Sequence, residues 1–224
     1  MLAADLTPRA RARRERIHQV AQTLFMQQGF EATSMDAIAE AANVSKATLY
    51  RYYQSKEALF IAVLEQLALH HLSENALSLL QERPMDSLDT LEQALTMWAQ
   101  ETIKNILHPT YVGLVRLLIA ELPRFPYLGV LFAQAVPQQG GAFLKALLES
   151  ARQHGVIVVD NLEPAIRLLA GSLLTYVLGN GLLGTDTLPQ APLPEQIAAL
   201  VRLFLQGVAS HHQQATGLST NSFH

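Results

Sequence analysis

The run Ser45-Lys46-Ala47-Thr48-Leu49-Tyr50-Arg51-Tyr52 gathers hydroxyl, cationic and phenolic side chains within one short stretch. Wound as a helix, it turns Leu49 inward together with the preceding Val44 and leaves Lys46, Ala47, Thr48, Arg51 and Tyr52 outward. Short and hydroxyl-bearing groups can approach base edges, while Lys and Arg supply charge against phosphate. A helix starting at Ser45 adds amide donors for a phosphate oxygen. This is the chemistry of nucleic-acid recognition. Catalytic chemistry has no comparable signal: no nucleophile is spaced with a base, and no carboxylates pair at helical spacing, so no enzyme is expected. The chain has no cysteine, which excludes disulfides, Cys-ligated zinc and thiol catalysis. His70-His71 and His211-His212 are neighbours that diverge by about 100° on a helix, with no third ligand spaced to help, so no metal is expected. Gly179-Asn180-Gly181-Leu182-Leu183-Gly184 matches a phosphate-binding glycine pattern but ends an apolar helix and leads to a proline-rich loop. Without a strand before it and a helix after it, no cofactor is expected.

Charge is distributed to suit that recognition. The net charge is −3. Residues 1–56 nevertheless carry eight Lys/Arg against five Asp/Glu, and residues 57–224 carry eight against fourteen. A basic head on an acidic body is the asymmetry expected when one end meets phosphate.

The elements that must position the run are helices. Ile17, Val20, Ala21, Leu24 and Phe25 make one apolar stripe, and Gly29 ends that first helix as a C-cap. Thr33 and Ser34 offer the next N-cap, and Thr33-Ser34-Met35-Asp36 fits the capping-box pattern. A short second helix turns Ile38 and Ala39 inward. Asn43, which tolerates left-handed backbone, makes the turn, and Ser45 caps the third helix. Ser55 caps a fourth, which runs to about Gln81 before Pro84. A fifth spans Ser87 to about Leu107 and a sixth Thr110 to Leu122. A short piece covers Tyr127 to Ala135, Pro137 interrupts, and a seventh helix runs from Gly140 to His154 with Gly155 as its C-cap. Val156–Val159 is an extended connector. An eighth helix spans Leu162–Leu183 and a ninth Glu195–His211. The uncharged stretch Leu168–Thr185 is long enough to span a membrane, but its four glycines and its Ser, Thr and Asn favour a buried helix. No membrane association is expected, and the polar, basic N-terminus has no signal-peptide core. The fold class is all-α, with a three-helix helix-turn-helix head on a larger helical bundle. The expected divisions are 1–56 for the head, 57–212 for the bundle and 213–224 for a disordered tail.

Residues 12–60 resemble the DNA-binding domain of the tetracycline-repressor (TetR) family, most specifically in Val44-Ser-Lys-Ala-Thr-Leu-Tyr-Arg-Tyr-Tyr-Gln-Ser-Lys-Glu-Ala-Leu59. Asn43 replaces the usual Gly, and Tyr53 the usual Phe. The resemblance implies that Thr33, Ser34, Ser45, Tyr50 and Lys56 hold phosphates, and that Lys46, Ala47, Thr48, Arg51 and Tyr52 approach bases or adjacent phosphates. Tyr50 and Tyr52 also fit a second reading, as lids on the head's core. Arg9–Arg16 fit either a flexible arm into the minor groove or a solvated lead-in.

The resemblance also implies a cytoplasmic, ligand-sensing, dimeric regulator, and Leu114–Phe132 is similar to C-terminal domains of some efflux and stress regulators. The expected partners are a palindromic double-stranded DNA operator, a small, largely apolar effector that releases it, and a second copy of the chain. The alternative is a member without a small-molecule inducer, controlled by a protein partner or by expression level. Leu169, Leu173 and Val177 on the eighth helix, with Ile197, Leu200, Val201, Phe204 and Leu205 on the ninth, are the candidate dimer interface; burial within one chain is the competing reading. Between helices five and eight a pocket is expected, with Trp98, Thr102, Tyr111, Arg116, Glu121, Phe132, Tyr176 and Asn180 as its candidate lining.

Overall fold

Thr7 and Pro8 open the first helix, α1 (Pro8–Ala32): the Thr7 hydroxyl accepts from the Ala10 amide at 3.3 Å, and the proline, with no N–H to satisfy, takes the first helical position. Arg9–Arg16 are therefore turns of α1 and not a flexible arm. Gly29, at φ 81 and ψ 172, breaks α1 before its last residues, a conformation a side chain would strain.

The computed structural model describes residues 7–69, 84–184 and 190–216, with the backbone alone for 69, 136–140 and 210–216. All regular structure among these residues is helical. After α1 come α2 (Met35–Ala41), α3 (Lys46–Tyr52), α4 (Lys56–Leu69), α5 (Leu88–Ile106), α6 (Pro109–Glu121), α7 (Pro126–Gln153) and α8 (Leu162–Tyr176). A π-helical segment (Val177–Leu182) extends α8, and α9 (Pro194–Thr216) follows. The expected end of the fourth helix near Gln81 and the pair His70-His71 lie outside the described residues, as do the side chains of His211-His212.

Two compact units divide the chain: Met1–Ala68 with Thr110–Val136, and Leu69–Pro109 with Pro137–His224. This division differs from a boundary at residue 56, because α4, α6 and the start of α7 belong with the head. In that first unit Phe25, Phe30, Phe60 and Phe125 cluster, with centroid separations of 4.9 Å for Phe25–Phe60, 5.2 Å for Phe30–Phe60 and 5.4 Å for Phe30–Phe125. Such ring pairs contribute roughly 0.5–1.5 kcal/mol each beyond their buried area. Arg124, beside Phe125 in the turn before α7, makes a two-pronged ion pair with Glu31 at the end of α1. Gly113 of α6 lies so close to Met26 of α1 that an added Cβ would sit 2.7 Å from its methyl group.

In the second unit, α5 buries Leu91, Ala94, Leu95 and Trp98, and α9 buries Ile197, Val201, Phe204 and Leu205, both at helical spacing. Pro137 does not interrupt the chain: α7 runs unbroken through it, even though proline in a helix interior costs about 3 kcal/mol. The sequence signal there marks the division between the units. Gly155, at φ 72, closes α7 as expected, with the Val156 amide donating back to Ala151 at 2.9 Å. Residues 156–159 carry neither helix nor strand.

α8 is not buried all round. Leu162, Ala165, Leu169, Leu173 and Val177 form one buried stripe, while Leu168, Leu174 and Leu178 are exposed. The span Leu162–Leu182 is long and apolar enough to cross a membrane, with 28% of its apolar 18-residue window buried. The π segment holds the first two glycines of the pattern, Gly179 and Gly181, with α8 before it in place of a strand. The helix α9 extends to Thr216, past the expected start of the tail at 213, and 217–224 lie outside the described residues.

Candidate nucleic-acid interface

The turn between α2 and α3 rests on two specific residues. Ser34, and not Thr33, is the N-cap of α2, accepting from the Ala37 amide at 3.1 Å. Asn43 takes φ 50, and the Asn43 and Val44 amides donate back to Glu40 and Ala39, each at 3.0 Å. That is the Schellman arrangement, with Asn where Gly is commoner. It stops α2 after two turns and starts α3 at once. Ser45 then caps α3, accepting from the Thr48 amide at 3.1 Å, with the two hydroxyls 2.8 Å apart.

On α3 only Leu49 is buried, and it anchors the helix in the head's core. Ser45, Lys46, Ala47, Tyr50 and Arg51 are exposed, and Thr48 and Tyr52 are half-buried. Tyr50 keeps 48% of its surface exposed, so it is not a lid on the core. Arg51 lies over the Tyr52 ring, 5.4 Å from its centroid. Lys46 pairs with Asp36 across the turn at 2.7 Å, which holds its ammonium above the usual lysine range. Both partners are well exposed, so the pair orients the ammonium more than it stabilises the fold.

Two of the residues implied to hold phosphate have other occupations. Thr33 is 1% exposed, and its hydroxyl donates to the carbonyls of Gly29 at 2.7 Å and Leu24 at 3.3 Å. It closes the α1 break. Lys56 donates to the carbonyls of Phe30 at 2.7 Å and Glu31 at 3.0 Å, with its ammonium 4.4 Å from the Phe30 ring centroid. Burial pulls this ammonium below the usual range. It ties the start of α4 to the end of α1.

A polar cluster under α3 has no counterpart among the sequence candidates. The Tyr53 hydroxyl meets Nε2 of the buried His18 in a short hydrogen bond and accepts from Arg14 Nε at 3.1 Å. Arg14 can only donate, so the phenol oxygen accepts from it and keeps its own proton free to donate to Nε2 of the neutral imidazole. The imidazole Nδ1 is buried without a partner. Burial first, then the Arg14 charge, depress the His18 pKa to about 3. Tyr53 itself is pushed up by burial. The visible signal was the departure from Phe at position 53: a buried phenol needs a hydrogen-bond partner.

The candidate lining residues divide between the units. Tyr111, Arg116, Glu121 and Phe132 lie in the first, and Trp98, Thr102, Tyr176 and Asn180 in the second. Tyr111 is buried, which raises its phenol pKa. Arg116 and Asn180 are exposed. Arg116 falls opposite the buried stripe of Val112, Val115 and Leu118, and Asn180 donates to the Gln190 carbonyl at 2.8 Å. Tyr176, Glu121 and Phe132 are half-buried. Trp98 Nε1, Thr102 Oγ1 and Asn105 Nδ2 are all buried without a hydrogen-bond partner. Each such group costs about 1–3 kcal/mol. Asn105, 8% exposed, was not among the sequence candidates; its i+7 spacing from Trp98 was the readable sign.

The candidate dimer residues are also relocated. Leu169, Leu173, Val177, Ile197, Val201, Phe204 and Leu205 are between 0% and 6% exposed within one chain, and Leu200 packs beside them. A side chain already buried has no surface left to cover against a second copy. The exposed apolar residues of the same helices are Leu168, Leu174, Leu178 and Leu203.

Two family models match the chain: bacterial regulatory proteins of the tetR family over residues 17–63, and the C-terminal domain of AefR-like transcriptional repressors over 93–207. The HTH-type transcriptional regulator RutR of Escherichia coli K12 is 48% identical over 56 residues, 25% of this chain and 26% of RutR. The match thus spans about a quarter of that relative. UidR, another HTH-type transcriptional regulator of E. coli K12, is 26% identical over 200 residues, 88% of this chain and 95% of UidR. Among solved structures, the Flavonoid-responsive Regulator FrrA is 32% identical, covering 90% of this chain and 97% of its own, at a TM-score of 0.59. With its helix-turn-helix surface facing outward and the second model alone spanning half its length, the chain belongs to the TetR family of DNA-binding transcriptional regulators.

Proposed function

We propose that the chain is a ligand-responsive repressor that binds a palindromic operator as a homodimer and is released by a small, largely apolar effector. The observation that carries the DNA-reading part is the outward face of α3. Ala47, Thr48, Arg51 and Tyr52 meet the major groove there, with Ser34, Ser45, Lys46 and Tyr50 on the flanking phosphates. Thr33 and Lys56 build the scaffold beneath. Residues 1–56 read DNA, and 57–212 sense the effector and dimerise.

Dimerisation is supported by Leu168, Leu174 and Leu178, which share one face of α8 and its π extension, with Leu203 exposed on α9. A two-fold dimer presents two heads, one to each half-site. The sensing role is supported by the name of FrrA, a flavonoid-responsive regulator.

The test is fluorescence anisotropy with labelled duplex from the DNA flanking the chain's own gene, run across a salt series. Wild type should bind with an affinity that falls steeply with salt, by a slope of about 0.9 per phosphate neutralised. Arg51→Ala should weaken binding. Sedimentation should give a dimer that Leu174→Glu splits. A chain that binds no duplex at low salt would sink the reading.

A further inference from the structure

Trp98, Thr102 and Asn105 lie at i, i+4 and i+7 on α5, so their side chains share one face over about 10 Å of helix. Trp98 is 5% and Asn105 8% exposed, and all three carry a buried polar atom without a partner: indole Nε1, hydroxyl Oγ1 and amide Nδ2. Thr102 does not even take the local carbonyl that a helical threonine can reach. A single orphan is a local defect. Three in a line on one face form a pattern, in which two groups are obligate donors and the third can donate.

Their surroundings define what would satisfy them. The core of this unit is aliphatic: Leu95, Leu144, Leu148, Leu169 and Val201 are all fully buried in it. Asn105 is its one buried polar or charged residue among those described. The charged neighbours on α5, Glu101 and Lys104, pair with each other at 3.6 Å, with side chains 42% and 70% exposed. Among the described residues an ionic ligand would find no buried counter-charge there. We infer that this face of α5 is the effector subsite, and that it takes an uncharged, elongated, largely apolar molecule bearing carbonyl or ether oxygens that accept from Trp98, Thr102 and Asn105. The inference rests on the effector-responsive reading above and adds the ligand's charge, shape and polar pattern, together with Asn105 as a contact.

The test uses the full chain and needs no DNA, so it can fail while DNA binding stands, and DNA binding can fail without it. Its first arm is ligand-free melting. Groups that lack partners in the resting protein lose nothing when replaced by apolar groups of similar shape. Thr102→Val and Asn105→Leu should each hold the Tm or raise it by about 2–4 °C. Thr102→Val changes one group only and decides this arm if Asn105→Leu does not fold. The second arm uses Trp98, the only tryptophan in the chain, as the fluorescent reporter. The probes are benzophenone (neutral, one carbonyl), diphenylmethane (the same rings, no acceptor) and 4-benzoylbenzoate (the ketone with a carboxylate). Wild type should bind benzophenone most tightly, with each substitution weakening it about 3- to 10-fold and leaving diphenylmethane unchanged. A Tm drop of more than about 2 °C for Thr102→Val would mean the hydroxyl already has a partner, and would overturn the inference. So would a wild type that binds none of the probes, prefers the carboxylate, or binds ketone and hydrocarbon alike.

Discussion

His18 should give the head a stability that falls with acid as soon as the pH drops below the pKa of a free imidazole. The folded imidazole has a pKa of about 3 and the unfolded one 6.5. The unfolded chain therefore takes up the proton first as pH drops. Stability is fully present above about pH 6.5 and declines continuously toward pH 3. At about 1.4 kcal/mol per pH unit below 6.5, the loss at pH 5 is about 2 kcal/mol, or roughly 4–8 °C in Tm for a chain of this size. Glu31 and Glu149, which Arg124 and Arg152 hold below the ordinary 4.5, keep their contribution until pH falls below that value. The window from pH 6.5 to 5 thus isolates His18 from them. The assay is urea unfolding at pH 7.5 and 5.0, at one protein concentration, for wild type and His18→Gln. Glutamine does not titrate and keeps an oxygen within reach of Tyr53, so the difference between the chains cancels every other histidine. Wild type should lose about 2 kcal/mol more than the variant between the two pH values. Parallel losses would refute the reasoning, because they would mean that His18 takes its proton as readily folded as unfolded.

Tyr53→Phe should cost about 1–2 kcal/mol in the same unfolding assay, since it leaves the buried His18 Nε2 without its donor and removes the acceptor for Arg14. Thr33→Val should cost about 1 kcal/mol while leaving duplex affinity unchanged by anisotropy, because the hydroxyl serves Gly29 and Leu24 and not a phosphate. Asn43→Gly should be neutral or slightly stabilising, whereas Asn43→Val should cost about 1–2 kcal/mol at its positive φ, as read from thermal melts.

The head was legible in the sequence because its backbone constraints are local. Gly29, Asn43 and Gly155 all take the positive φ that residue type alone suggested, and Ser34, Ser45 and Ser55 all cap. Other features depend on partners far along the chain. Thr33 and Ser34 were equivalent as caps until burial separated them. Tyr53 finds partners in His18 and Arg14, and Arg124 finds Glu31, and no spacing rule reports such distances. The apolar period of α8 and α9 correctly marked one stripe on each. It could not say whether that stripe meets the same chain or another copy, and the buried answer moved the candidate dimer surface to the opposite face. Pro137 carried a strong local signal for a break, which the continuous helix overrides. Thr7-Pro8 carried an equally plain start signal for α1 that charge counting along Arg9–Arg16 obscured.

The first unit is assembled from two stretches of chain separated by more than forty residues, with Phe125 against Phe30 and Arg124 on Glu31. During synthesis the segment up to Ala68 leaves the ribosome lacking part of its own core. At about 5–20 residues per second, the missing piece arrives roughly 3–14 s later. Over that interval the nascent head shows solvent an aromatic face and a basic surface together. Its native packing is completed only after the intervening α5 has been made, so the order of translation makes the reading head wait for part of the body.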